Sequence, residues 1–198
     1  PHRMASSLVN SLPIGAATLR LHDAVADQKA WLVPQLVERG ANASSVMDNA
    51  TGETPLHRAA ADGAADVGSA LLAIGAPSAV RDRSGRTPLH VAAAQSQAPM
   101  VALLCAAGAT STARDRDGNT PLHEARSGAV AKELLRCGRQ AALLLALNER
   151  NASAMHVAAQ AGRAEVLSVL AEHIPSPAVS PGEAPAWLAW DGRALHET

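Results

Sequence analysis

Polar and apolar blocks return along this chain with a spacing of 33 residues. A polar turn holding aspartate and glycine opens each block, as in "DRSGRT" (82–87) and "DRDGNT" (115–120). A short apolar stretch follows, such as "PLHVAAA" (88–94), whose leucine and alanine pair fall at helical spacing. Next come Leu-rich stretches that close on glycine: "SALLAIGA" (69–76), "VALLCAAGA" (101–109) and "KELLRCG" (132–138). Each block predicts a tight turn and two short helices. The tetrapeptide Thr-Pro-Leu-His marks the first helix at 54–57, 87–90 and 120–123. His156 adds one more step of the same length, in the degraded copy "NERNASAMHVAAQAG" (148–162).

The physics of the tetrapeptide is legible. Thr54, Thr87 and Thr120 stand where a helix N-cap belongs, the hydroxyl accepting an orphan backbone N–H at a gain of about 1 kcal/mol. Proline follows at the first helical position, where its missing N–H costs nothing. His57, His90, His123 and His156 then lie on the first turn, within reach of backbone on the adjoining turn. Gly63 is expected to end a first helix, and Gly75 and Gly108 to end second helices in left-handed geometry. The Asp-x-x-Gly ahead of each threonine reads as a tight turn.

This pattern resembles the ankyrin repeat family, whose signature is TPLHxAA on a 33-residue period. The resemblance implies an all-α fold, a solenoid of antiparallel helix pairs with hairpin loops projecting from one edge. On that frame 1–16 is a leftover of expression and a lead-in, since Pro1 to Arg3 precede Met4. Residues 17–47 form an N-terminal capping repeat, with His22 as its marker and Arg20 and Asp23 on its outer side. Two full repeats follow at 48–81 and 82–114, an irregular one with an apolar loop at 115–147, and a degraded one at 148–174. The segment 175–198 is Pro-rich and then, at "DGRALHET", resembles the opening of another unit, so it is a partial or capping unit of a chain cut from a longer one.

Three departures from the period carry structural expectations. Pro34 should kink or shorten the second helix of the first unit, and Trp31 should lie within that helix near its core side. Ser96 stands where the family has glycine between helices, which implies modest backbone strain. From His123 to Gly138 there are 15 residues, against 18 from His90 to Gly108, and the following loop is longer by the same three. The segment "GRQAALLLALNER" (138–150) is too apolar for an exposed hairpin and predicts an extra helical turn tucked on the stack.

Composition narrows the function classes. The chain is 47% hydrophobic yet has no Phe, no Tyr and three Trp, which suits thin layers of small-residue helices. A formal charge of -1 gives no global basic field, so nucleic acid is not favoured as a partner. No apolar run reaches the ~18 residues of a membrane span. Cys105 and Cys137 alone suggest no disulfide framework, and a reduced intracellular setting, cytoplasmic or nuclear, is the expectation. The four marker histidines would stand in successive layers roughly 10 Å apart, against zinc–nitrogen bonds of about 2 Å, so they are read as structural and no metal or cofactor is expected. No phosphate loop or triad assembles, and no enzyme activity is expected.

The resemblance implies a protein-binding module, with partners docking on the concave face of hairpin tips and first helices. Carried over by position, that face holds Ala50, Thr51, Glu53, Asp62 and Arg81 from one unit, and Arg83, Ser84, Arg86, Gln95 and Arg114 from the next. Arg116, Asp117 and Asn119 continue it, followed by Glu149, Arg150 and Gln160. Two readings of its five arginines stand open. Arg and Asp pair across adjacent hairpins into a neutral rim, or free guanidinium groups take an acidic or phosphorylated segment of a partner. With Tyr and Phe absent, a large apolar anchor has to come from the partner. The rival reading is a regulatory or spacer domain making intramolecular contacts within a larger enzyme, channel or ubiquitin ligase, through the apolar loop 139–147.

Overall fold

The computed structural model describes residues 14–173, which carry eleven α-helices and one short 3-10 turn. Residues 1–13, with the start read above as an expression leftover, and residues 174–198, with Trp187 and Trp190, lie outside the described residues. Helices α1 (Ile14–Ala26) and α2 (Val33–Glu38) make the first pair, α3 (Pro55–Asp62) and α4 (Ala65–Ala73) the second, and α5 (Pro88–Ala94) and α6 (Ala98–Ala106) the third. A fourth pair, α7 (Pro121–Glu124) and α8 (Gly128–Cys137), is followed by the extra turn α9 (Gln140–Leu144), and then by α10 (Ala154–Gln160) and α11 (Ala164–His173). First helices pack in one row and second helices in another, each touching its equivalents in the neighbouring pairs. The repeated Leu56, Leu89 and Leu122 are buried, as are the alanine pairs Ala59–Ala60 and Ala92–Ala93. One continuous core of Ala, Leu and Val results, thin enough for short helices to fill without large aromatics. The fold is an all-α solenoid.

The helix ends follow from residue type. Gly63, Gly75 and Gly108 take φ of 69°, 84° and 80°, the left-handed geometry that closes helices. Ser96 is forced to φ 60° between α5 and α6, where a side chain carries strain. Pro34 falls in the first turn of α2, the place where a missing N–H is harmless. The helix therefore begins at Val33, and Trp31 is not inside it. Trp31 lies in the preceding 3-10 turn and is 42% exposed, which corrects the expectation of a core-side position.

The irregular repeat shows where its three residues were lost. Helix α7 has 4 residues, against 8 and 7 in α3 and α5, while α8 keeps 10. Ala125 leaves the helix at φ −55°, ψ 126°, and Ser127 then caps α8 by accepting the Val130 N–H. Only the first helix is shortened. In the loop beyond α8, α9 buries Leu143 over Gly138, where an added Cβ would collide with Leu143 and Ser111. Leu145 and Leu147 stay 66% and 44% exposed.

Cys105 on α6 and Cys137 at the end of α8 form a disulfide, with Cα atoms 5.8 Å apart. This corrects the expectation of two reduced thiols. A separation of 32 residues says nothing in a linear reading, but stacking nearly one full repeat apart brings the two helices side by side.

Candidate partner-binding face

The hairpins that form the rim are built from their aspartates. Asp82 Oδ1 accepts the N–H groups of Ser84 and Arg86, and Asp115 Oδ1 accepts those of Asp117 and Asn119. Successive hairpins are joined through backbone: Arg83 N–H donates to Thr51 O, Arg116 N–H to Ser84 O, and Glu149 N–H to Asp117 O, at 2.8–3.0 Å. Gly85 and Gly118 serve this approach, because a Cβ on either would stand 3.0 and 2.9 Å from the next hairpin's amide nitrogen.

The histidines tie each first helix to the following hairpin. His57 Nε2 lies 3.0 Å from Arg86 O, and His90 and His123 repeat the bond to Asn119 O and Ala152 O. A carbonyl can only accept, so Nε2 carries the proton and donates. Nδ1 is then the acceptor, taking the threonine N–H and the threonine hydroxyl, the latter at 2.9 Å in all three repeats. The hydroxyl thus meets the imidazole as well as the backbone N–H that it caps, so the cap expected from Thr is kept and histidine is added to it. A capping box normally closed by Glu or Gln is closed here by histidine. Burial holds the pKa of all three below the usual histidine range, so the joints are neutral. In the first unit His22 differs, its Nε2 meeting Ser45 Oγ at 2.7 Å.

The arginines of the rim divide into two groups. Arg86 is held within its own hairpin, with Nε and Nη2 both 2.8 Å from Asp82 Oδ2. Arg81 donates to Gly85 O at 2.7 Å and to Arg114 O, while Arg114 Nε donates to Gly118 O. Arg83 and Arg116 are exposed and carry no side-chain hydrogen bond or ion pair among the described residues, Asp48 being close enough to Arg83 only to feel its charge. The rim's Arg–Asp ion pair, Arg86 with Asp82, lies inside its hairpin, and none crosses between hairpins among the described residues. Asp82 and Asp115 are occupied by backbone, which leaves Arg83 and Arg116 on adjacent tips without an ion pair.

Below the rim, the shortened α7 opens a notch. Its volume is about 260 Å³, and Arg86, His123, Glu124, Arg126, Val157 and Arg163 are among the residues lining it. Where α3 and α5 run on for another turn, α7 stops and leaves its last carbonyls without helical partners. Arg163, from the turn between α10 and α11, reaches back and donates through Nη1 to His123 O and Ala125 O at 3.1 and 2.9 Å. Glu124 occupies the repeat position of Val91 and Val157. Its Oε2 is buried with no hydrogen-bond partner. Burial, and then the Asp115 carboxylate, push its pKa up to about 7 against the pull of Arg86.

The family model described as ankyrin repeats in three copies matches residues 21–115, and the one for a single ankyrin repeat matches residues 117–149. The chain belongs to the ankyrin repeat family. No curated protein matches it. Ankyrin repeats are in general protein–protein interaction modules. Beyond the matched segment, α10 and α11 add a fifth ankyrin-like pair in which Ser153 replaces threonine and the proline is missing, with Ser153 Oγ 2.8 Å from His156 Nδ1.

The ankyrin frame places the sequence-chosen residues unevenly. Arg83, Arg116, Asp117 and Arg150 are exposed at hairpin tips, and Gln95 and Gln160 at the ends of α5 and α10. Others are occupied by the architecture. Thr51 Oγ1 donates to Asp48, Asp62 pairs with Arg58, and Asn119 Oδ1 accepts from Asn148. The half-buried Glu53 closes its hairpin through a β-bridge to Asp48, and Ser84 serves through its backbone. Glu124, Arg126 and Arg163 were missed by sequence reasoning. The signal was the three-residue deficit after His123, which announces a missing turn somewhere in that repeat. Among the described residues no helix is long and apolar enough to cross a membrane, and no three His, Cys, Asp or Glu gather as a metal site would require.

Proposed function

We propose that this ankyrin stack is a non-catalytic adaptor that binds a segment of a partner protein on its hairpin and inner-helix face. The partner segment is acidic or phosphorylated near the tips and brings its own large apolar residue. One observation supports this most: Arg83 and Arg116 stand exposed on neighbouring tips without side-chain bonds, while Arg81, Arg86 and Arg114 serve the fold. Two unneutralised guanidinium groups suit bidentate recognition of carboxylate or phosphate. The buried histidines of the repeats serve the fold, each held neutral between a threonine and a carbonyl. Capture of partners by the intact protein and by a variant carrying Arg83→Glu and Arg116→Glu tests the reading. Capture should fall at least tenfold and weaken with added salt; equal capture by both proteins ends it.

A second reading, a domain making intramolecular contacts in a larger chain, draws on Leu145 and Leu147. Both are exposed beside α9, next to a loop that is otherwise anchored by Leu143. Leu145→Ser with Leu147→Ser leaves partner capture unchanged under the first reading and abolishes interdomain contact under the second.

A further inference from the structure

The notch beside α7 has donors left over. Arg163 uses Nη1 for two carbonyls, and its Nε and Nη2 have no partner among the described residues. Arg126 is exposed on the turn between α7 and α8 and makes no side-chain hydrogen bond or ion pair among the described residues. Burial, and then the nearby charge of Arg126, lower the proton affinity of Arg163, and neither guanidinium makes an ion pair with a carboxylate among the described residues. Arg86 adds its field, although its own N–H groups are held by Asp82. Against this basic wall sits one carboxyl oxygen, Glu124 Oε2, enclosed and unbonded. A buried polar atom without a protein partner is uncommon and costly.

We infer that this notch is a carboxylate-reading pocket, in which an Asp, Glu or C-terminal carboxylate of the partner segment is gripped by Arg126 and Arg163 and hydrogen-bonded by the Glu124 carboxyl. The inference rests on the reading of this face as a peptide-binding surface. The donor set matches a carboxylate: two guanidinium groups on one side and one carboxyl O–H on the other, for two oxygens. A phosphate would bring further oxygens toward a wall that offers them another carboxyl. Glu124 donates only when protonated, and ionised it repels the ligand. The charged groups facing it are Arg86 and Asp82 from the preceding hairpin, Asp115 from its own, which also competes for its proton through a side-chain hydrogen bond, and Arg163 from the next repeat, with Arg126 lining the same notch and His123 neutral on the same helix. Burial keeps the free carboxyl half-protonated at about pH 7. Binding takes the protonated form, so affinity is greatest below that pH and falls as pH rises through it. From about pH 6 to about pH 8 the expected loss is roughly tenfold.

The test is an NMR titration of the ¹⁵N-arginine-labelled protein with N-acetylglutamate methylamide, a probe with a single carboxylate, and separately with inorganic phosphate. Saturable shifts of the Arg126 and Arg163 Nε–H signals are expected with the carboxylate, weakening about tenfold over that pH interval. Arg126→Ala should remove most of the binding, and Glu124→Gln should keep it but flatten its pH dependence. Arg163→Ala risks unfolding α7, so Arg126→Ala carries the test. Silence toward the carboxylate, saturation by phosphate alone, or an undiminished pH slope in Glu124→Gln each overturns the pocket. Arg83→Glu with Arg116→Glu should leave this titration unchanged, which separates failure of the rim from failure of the notch.

Discussion

The repeats at 82–114 and 115–147 share a period, a hairpin, a Thr–His box and a full second helix, and differ in one turn of one helix. In the regular repeat α5 completes its turns, and Val91 at the middle is buried among apolar neighbours. In the irregular one α7 stops after Glu124, a carboxyl takes the valine's place, and Arg163 supplies the hydrogen bonds that a further turn would have made. The contrast teaches that the stack protects its hairpins and second helices. The C-terminal turn of a first helix is dispensable, provided that its carbonyls find a donor and its space finds a use.

The largest expected effect concerns the link between the two repeats. Cys137→Ser opens a loop of some 33 residues, and the chain-entropy estimate puts its loss at about 3–4 kcal/mol. Urea unfolding under oxidising conditions should show this loss, and reductant should bring the parent protein to the same midpoint. A parent insensitive to reductant would mean that the two repeats are joined by packing alone.

A smaller effect is expected at Glu124, and its sign is fixed by linkage. The native state keeps a proton that the unfolded chain has released between about pH 4.5 and about 7, so stability declines as pH rises through that window. Glu124→Gln should therefore be more stable than the parent above pH 7, by about 2 kcal/mol, and indistinguishable from it near pH 4. Val91→Glu in the regular repeat, made for comparison, should destabilise at every pH, because it puts a carboxyl in place of a buried apolar side chain of the core. A Glu124→Gln variant with the parent's pH profile would show that the carboxyl is well solvated.

The smallest effect belongs to the borrowed cap. Arg163→Ala leaves His123 O and Ala125 O to water, at about 1–2 kcal/mol, since the site is half open. Amide hydrogen exchange should speed up in 121–128 and stay unchanged in 88–97. Equal protection in both segments would show that α7 needs no help from its neighbour.

Much of this was legible in the chain itself. The period, the helix pairs, the left-handed Gly75 and Gly108, the awkward Ser96 and the extra turn at α9 all follow from local residue chemistry. The three-residue deficit after His123 was equally plain. What spacing could not say was which helix had lost the turn, because counting from histidine to glycine spans both. Arg163, Glu124 and the disulfide escaped for a related reason: each acquires its role from a residue 32 to 40 positions away, through the register between layers. The rim arginines were visible, yet their division depended on which aspartate oxygens the backbone had already taken. Trp31 was misplaced because Pro34 was treated as a break within a helix, when it marks the start of one.

The reach of Arg163 across a layer boundary has a further meaning for the pair α10 and α11. Val157 and Arg163, which line the notch, belong to α10 and to the turn after it, so the pocket is complete only while that pair stays seated on the rest. In a linear array each pair is held only by its neighbours. Whatever fills the notch would act as a latch between the fourth and fifth pairs, and their separation would let it go.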